Sequence, residues 1–167
     1  IGTGSHNTQD GLTEGLYSFY TRGSEVLYLN DYDYDETAII TAGDGAGVGK
    51  VFHFVIGKYA LHQRAYRIVP DKQIVSARYL YYYIGATFYD YIMKSSVSSS
   101  VVSIRRPMMV NYPIPLPPFS VQEEIVSTLD RFNTLVNDLS QGLPAEIEAR
   151  KQQYEYYRDK LLTFKRK

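Results

Sequence analysis

Tyr112-Pro113-Ile114-Pro115-Leu116-Pro117-Pro118-Phe119-Ser120-Val121-Gln122-Glu123 is where the chain changes its grammar. Four prolines at positions 113–118 fix φ and lack backbone donors, so this stretch is extended and not helical. Directly after it, Ser120 is a suitable N-cap, and Glu123, three residues on, completes a capping box. Apolar residues then fall at Ile125, Leu129, Phe132, Val136 and Leu139, in alternating steps of four and three. That spacing predicts a helix with a coiled-coil-like stripe. Gly142 suits a C-cap and Pro144 the first turn of a second helix, over 144–164. There Ile147, Tyr154 and Leu161 recur at heptad spacing, with Arg150, Tyr157 and Phe164 as a companion row. The two registers are offset by one residue, so a kink or turn is expected near Gly142 rather than one straight rod.

Upstream of the prolines the pattern is different. Residues 1–119 hold 11 of the 12 glycines and several short β-type runs, at 16–20, 25–29, 48–55 and 64–69. Gly43, Gly45, Gly47 and Gly49 form a loop between strands. Asp31, Asp33 and Asp35, interleaved with Tyr32 and Tyr34, look like a solvated turn. One helix is expected over 76–94 with Ser76 as its N-cap. Its apolar and tyrosine residues run nearly all round it, as in a helix buried on much of its surface. The serine cluster at 95–103 reads as a loop or a weak strand. The expected fold is therefore α+β: a globular mixed α/β domain over 1–119, then long coiled-coil-like helices over 120–167.

The 167 residues and 19.1 kDa suffice for one real core without staples. Cysteine is absent, which excludes disulfides, thiolate metal sites and a cysteine nucleophile. Three scattered histidines, His6, His53 and His62, do not suggest a metal site. No apolar run is long enough to span a bilayer and no signal peptide is visible. The chain opens on Ile1 rather than Met, so an internal start is expected. Eighteen basic residues balance 18 acidic ones, but unevenly. Residues 1–36 carry a net charge of −6, and residues 37–120 carry +6. Such a basic middle can steer a polyanion to one face, or can simply neutralise the acidic segment beside it.

Motifs for catalysis fail on detail. The run Gly43-Asp44-Gly45-Ala46-Gly47-Val48-Gly49-Lys50 has Asp44 where a phosphate loop needs glycine, and Val51 where it needs Ser or Thr for magnesium. The dinucleotide pattern fails at Val48 or at Lys50, depending on its start. Leu116-Pro117-Pro118-Phe119 resembles the motif by which amino-directed DNA methyltransferases hold a flipped base, but Leu116 cannot accept the amino-group hydrogen bond. No catalytic residue, metal or cofactor is assigned.

Five blocks carry a family resemblance. They are Thr41-Ala42-Gly43-Asp44-Gly45-Ala46-Gly47-Val48-Gly49-Lys50-Val51, then Gly57-Lys58-Tyr59-Ala60-Leu61-His62-Gln63, then Tyr79-Leu80-Tyr81-Tyr82-Tyr83. Pro113-Ile114-Pro115-Leu116-Pro117-Pro118-Phe119-Ser120-Val121-Gln122-Glu123-Glu124-Ile125-Val126 follows. The last is Leu143-Pro144-Ala145-Glu146-Ile147-Glu148-Ala149-Arg150-Lys151-Gln152-Gln153-Tyr154-Glu155-Tyr156-Tyr157-Arg158-Asp159-Lys160-Leu161-Leu162. In order and spacing they resemble the DNA specificity subunits of type I restriction–modification systems. That family usually has two target recognition domains, each followed by a helical spacer, and this chain resembles one such half. The resemblance implies a non-catalytic, cytoplasmic subunit that reads half of a bipartite site in double-stranded DNA. Its partners would be the methyltransferase and restriction subunits, where catalysis resides. Two other readings stand beside it: a coiled-coil adaptor without DNA binding, and the recognition part of a single-chain adenine methyltransferase.

Specificity requires side chains that reach base edges and cations that fix register on phosphates. Lys50, Gln63, Arg64, Arg105 and Arg106 are the candidates for DNA contact. The alternatives are a strand-edge residue for Gln63 and a solvated surface pair for Arg105 and Arg106. A second helix over 144–164 would be about 32 Å long, close to the roughly 34 Å of one B-DNA turn. Ile147, Arg150, Tyr154, Tyr157, Leu161 and Phe164 form a stripe with no evident cover within the chain. Either the tail folds back on its own domain, or these residues make a two-fold, antiparallel homodimer in which Arg150 meets the partner's Tyr157 or Phe164.

Overall fold

The computed structural model describes residues 1–94, 103–139 and 144–163, of which 137–139 and 144–147 by their backbone alone. It is an α+β protein. The strands are β1 (Gly2–Thr3), β2 (Tyr17–Tyr20), β3 (Val26–Leu29), β4 (Tyr34–Ala42), β5 (Phe52–Leu61) and β6 (Ala65–Ile68). The helices are α1 (Ala77–Lys94), α2 (Arg106–Val110), α3 (Phe119–Leu139) and α4 (Pro144–Leu162). The chain divides into two compact units, 1–114 and 115–167.

One mixed sheet, ordered β1-β6-β4-β5-β2-β3, organises the first unit. Neighbours pair antiparallel except β2 and β5, which run parallel. The central strand β4 is not among the strands expected from the sequence. Its run Ala38-Ile39-Ile40-Thr41-Ala42 is buried on both faces, so it lacks the alternation that marks a half-exposed strand. Ala38 and Ile40 face a core with Val55, Tyr59, Leu61 and Ala65, closed over by Tyr20 and Tyr34. Ile39 and Thr41 sit opposite Phe54 and Phe52 on the other face. Helix α1 covers that face: Phe52 meets Phe88 edge-on with ring centroids 6.3 Å apart, and Phe54 meets Tyr81 at 5.6 Å.

Two expectations fail in the first unit. Residues 48–51 are not strand: Val48 N–H donates to Gly45 O, and Lys50 and Val51 donate to Gly47 O, so the glycine loop is a series of tight turns. Strand β5 starts only at Phe52 and runs on to Leu61. Nor is Asp33 part of a solvated turn. Its carboxylate accepts from Leu61 N–H at 2.7 Å and from Ser5 Oγ at 3.1 Å, tying the N-terminal segment to β5.

Helix α1 matches its expected span, and Ser76 caps it: Oγ accepts from Tyr79 N–H at 3.4 Å, while the Ser76 carbonyl accepts from Leu80 N–H. Leu80, Ile84, Phe88 and Ile92 form a buried stripe at four-residue spacing. Tyr112, 8% exposed, meets Phe88 and Tyr91 with both centroid distances at 5.0 Å, and hydrogen-bonds Thr87. It anchors the chain just before the prolines. Of the serine cluster, 95–102 lies outside the described residues.

In the second unit α3 starts at Phe119, so Ser120 is inside the helix and not its N-cap. The Pro118 carbonyl instead accepts from Val121 and Gln122 N–H. Proline suits this entry because the first helical N–H groups have no partner to lose. Buried Gln122 adds a bond from Nε2 to the Pro117 carbonyl at 2.9 Å. Helix α4 has 19 residues, which is about 28 Å rather than 32 Å. The two helices pack on each other, with Phe132 stacked on Tyr157 at 5.2 Å and 16°. The turn expected at Gly142 lies outside the described residues.

Candidate nucleic-acid interface

The strand ends position the polar loops of the first unit. Beyond β2 comes the turn Thr21-Arg22-Gly23-Ser24; beyond β4 comes the glycine loop; between β5 and β6 come His62, Gln63 and Arg64. Asp44, second residue of the glycine loop, joins all three. Its Oδ1 accepts from Arg22 Nη1 at 2.7 Å and its Oδ2 from Arg64 Nη1 at 3.2 Å. The Arg22 hydrogen bond, aided by its charge and by Arg64, holds the Asp44 carboxyl below the usual carboxylate range. Asp44 is therefore ionised at neutral pH.

Two open clefts flank this junction. One, about 550 Å³, is lined by Arg22, Thr21, Ser24, Thr8 and the glycine loop from Asp44 to Gly47. The other, about 240 Å³, is lined by Asp44, Gln63, Arg64, Tyr66 and Ser103 among others. The segment entering α2 is brought to the second cleft by backbone pairing: Ile104 N–H donates to Gly43 O at 2.7 Å, and Ser103 bridges Asp44. Close packing forces glycine at two loop positions. A Cβ at Gly43 would lie 2.5 Å from the Arg64 carbonyl oxygen, and one at Gly47 would lie 2.4 Å from that of Arg22.

His62, 3% exposed, supports the β5–β6 turn from within. Its Nδ1 accepts from the Arg64 N–H at 2.9 Å, which places the ring proton on Nε2. Burial, and next the Arg22 charge, push its pKa down. The neutral ring lies over Phe19.

The structure gathers some of the sequence candidates and separates others. Gln63 and Arg64 are exposed and line one cleft together. Gln63 Nε2 donates to Asn7 Oδ1, and its N–H donates to His6 O, so it is a turn residue already engaged with the N-terminal segment. Arg105 and Arg106 are exposed, and their side chains make no hydrogen bond or ion pair among the described residues. They open α2, where the helix dipole does not favour cations. Lys50 is exposed but lines neither cleft; its Nζ lies over the Tyr89 ring of α1 at 5.1 Å. Arg22 is not among the sequence candidates. It is the single basic residue of the acidic first 36 positions, in a Thr-Arg-Gly-Ser turn, and regional charge counting hides it.

In the helical unit the premise of an uncovered stripe does not hold at Tyr157, which Phe132 covers. Arg150 Nη1 donates to Gln153 Oε1 at 3.2 Å, and Arg158 lies over Tyr154 at 5.9 Å. Tyr154 and Leu161 are half-buried. The side chains of Ile147 and Phe164 lie outside the described residues. Among the described residues no cluster of His, Asp and Glu could hold a metal ion, and no helix is long and apolar enough to cross a membrane.

These features define an α+β domain with a loop-borne ionic site, followed by a helical extension. Residues 4–149 match the type I restriction modification DNA specificity domain, and the chain belongs to that family. It is 39% identical to the specificity subunit of the Escherichia coli type I restriction enzymes EcoR124I and EcoR124II over 105 residues, 62% of this chain and 26% of the relative. It is 30% identical over 145 residues to a putative type I specificity subunit of Mycoplasma pneumoniae, 86% of this chain and 46% of the relative. The chain thus spans between a quarter and about half of these relatives. Its fold is similar to a crystal structure of the type I S subunit from M. genitalium, with TM-score 0.67 and 15% identity over 84% of this chain and 37% of that one.

Proposed function

We propose that the chain recognises double-stranded DNA as part of a type I specificity subunit. The unit 1–114 reads one half of a bipartite site, and the helical unit 115–167 docks methyltransferase subunits, through which restriction subunits join. Chemistry is left to those partners. The observation that carries this reading is the Arg22–Asp44–Arg64 junction, which gathers three loops and the exposed Arg105 and Arg106 segment on the domain with the basic centre. Arginines in such a setting can contact guanine edges or phosphates, and loops borne on a rigid sheet can present them without large rearrangement. Family membership supports the choice of DNA over other polyanions.

The test is binding of the chain to a labelled random-sequence duplex pool across a salt series, followed by selection of the bound sequences. Binding that weakens linearly in log affinity against log salt, together with enrichment of a short motif, is expected. No binding at low salt overturns the DNA reading. Docking is tested by co-purification with the methyltransferase subunit of the same system. Retention after deletion of 144–167 overturns a role for α4 in it.

A further inference from the structure

We propose that Asp44 is a positioning residue for base recognition: its carboxylate aims two guanidiniums, Arg22 and Arg64, at DNA. The inference rests on the DNA reading above and goes beyond it by assigning a role to an acidic residue in the interface. Among the described residues, Asp44 alone lines both clefts together with an ion pair to each. Each of its oxygens takes one Nη1 donor, from Arg22 at 2.7 Å and from Arg64 at 3.2 Å. Neither guanidinium makes another side-chain hydrogen bond among the described residues. Each therefore keeps four of its five N–H donors for a ligand.

The side chains of Arg22 and Arg64 are 40% and 63% exposed, while that of Asp44 is 25% exposed. Both guanidinium side chains are thus more exposed than the carboxylate that holds them. A free arginine must lose much rotamer freedom when its fork engages a guanine edge; one already held by a carboxylate loses less. The loop backbone makes the anchor rigid. Gly43 packs against the Arg64 carbonyl, Gly47 against the Arg22 carbonyl, and Ile104 N–H bonds the Gly43 carbonyl. Asp44 consequently stands at a fixed point between the two arginines. An acidic group near phosphates also lowers affinity for any DNA. Its presence there makes sense if it raises discrimination, which is a difference between affinities.

Two opposed effects give a sharp test. The parent chain and Asp44→Asn are compared for binding to the duplex selected by the parent and to a scrambled duplex, with thermal melting as a fold control. The expected result is affinity for the selected duplex lower by roughly ten-fold or more, with scrambled-duplex affinity unchanged or raised. Selection with the variant should show relaxed preference at the affected base pairs. Arg22→Lys keeps the charge but removes the fork, and Arg64→Lys does the same at the other arm. At least one should relax the preference without weakening scrambled binding. This arm stands even where Asp44→Asn fails to fold. Stronger binding to both duplexes would mean that Asp44 only screens charge, and equal weakening on both would mean that it only supports the fold; either overturns the proposal. So does an unchanged preference in Asp44→Asn, or in both lysine variants. A parent that enriches no sequence overturns the functional reading itself, and this inference with it. A parent with a clear preference that the variants retain overturns the inference alone.

Discussion

Arg22 reaches Asp44 with an Nη1–Oδ1 distance of 2.7 Å, across 22 positions of sequence and between the β2–β3 turn and the glycine loop. The ion pair depends on a backbone fit next to it, because Gly47 lies against the Arg22 carbonyl with no room for a side chain. Gly47→Ala must push these two turns apart. We expect it to lower stability by about 1–3 kcal/mol and to weaken binding to the selected DNA. Denaturant unfolding and binding measured together check this. An alanine variant equal to the parent in both would show that the turns are not held by this fit.

His62 makes the interface domain sensitive to acid. Its folded pKa lies below the ordinary histidine value because of burial, and next because of Arg22. The unfolded chain therefore takes up the proton first as pH falls. The folded state loses stability from about pH 6.5 downward, and the loss levels off below the lowered folded pKa, where both states are protonated. Protonation also removes the Nδ1 acceptor for the Arg64 N–H. His62→Gln should flatten this part of the stability profile. A parent whose stability is level from pH 7 to about 5 would rule out the burial of a neutral ring.

Much of the first unit was legible because its signals are local. Ser76 and the buried face of α1 could be read directly, and so could β2, β3 and β6 to within a few residues. Strand β4 could not, since Ala38–Ala42 is apolar on both faces and the preceding Asp/Tyr run imitates a turn. The run needs β5 and β6 beside it before it is recognisable as the centre of a sheet. The site was half legible for the same reason. Arg64 stands in a turn with a basic, polar signature, whereas the pairing of Arg22 with Asp44 is a long-range contact between one cation and one anion of opposite-signed segments. Charge totals place them in different regions, and only the fold brings them within hydrogen-bond distance. Helix α3 starts at Phe119 rather than after Ser120 because Pro118 already supplies the accepting carbonyl.

Arg105 and Arg106 are exposed and their side chains join no ion pair among the described residues, so replacing them should cost the fold little. The Arg105→Ala/Arg106→Ala double variant should bind selected and scrambled duplexes less well by similar factors. The salt slope should fall by about one for each phosphate that the variant no longer neutralises. Melting temperature should stay within about 2 °C of the parent. Undiminished binding across the salt series would remove these two residues from the interface.

Self-association is the last expectation, and the structure changes its terms. Stacking of Phe132 on Tyr157 satisfies part of the α4 stripe within one chain, so fewer side chains remain to drive a dimer. Leu135 at 47% and Tyr156 at 61% exposure remain open to solvent on the helical unit. Tyr154 and Leu161 are half-buried there. Burying one large apolar side chain contributes roughly 1.5–3 kcal/mol, against an association cost of about 4–15 kcal/mol. Four such residues per protomer, partly covered already, place the balance near a weak two-fold dimer. We propose that the chain dimerises through this unit with the helices antiparallel. Sedimentation at rising concentration should show a monomer–dimer equilibrium for the intact chain and a monomer for a version ending at Gly142. Tyr156→Lys should shift the equilibrium toward monomer without altering helix content. An intact chain that stays monomeric at high concentration, or a truncated one that still dimerises, rules out this interface.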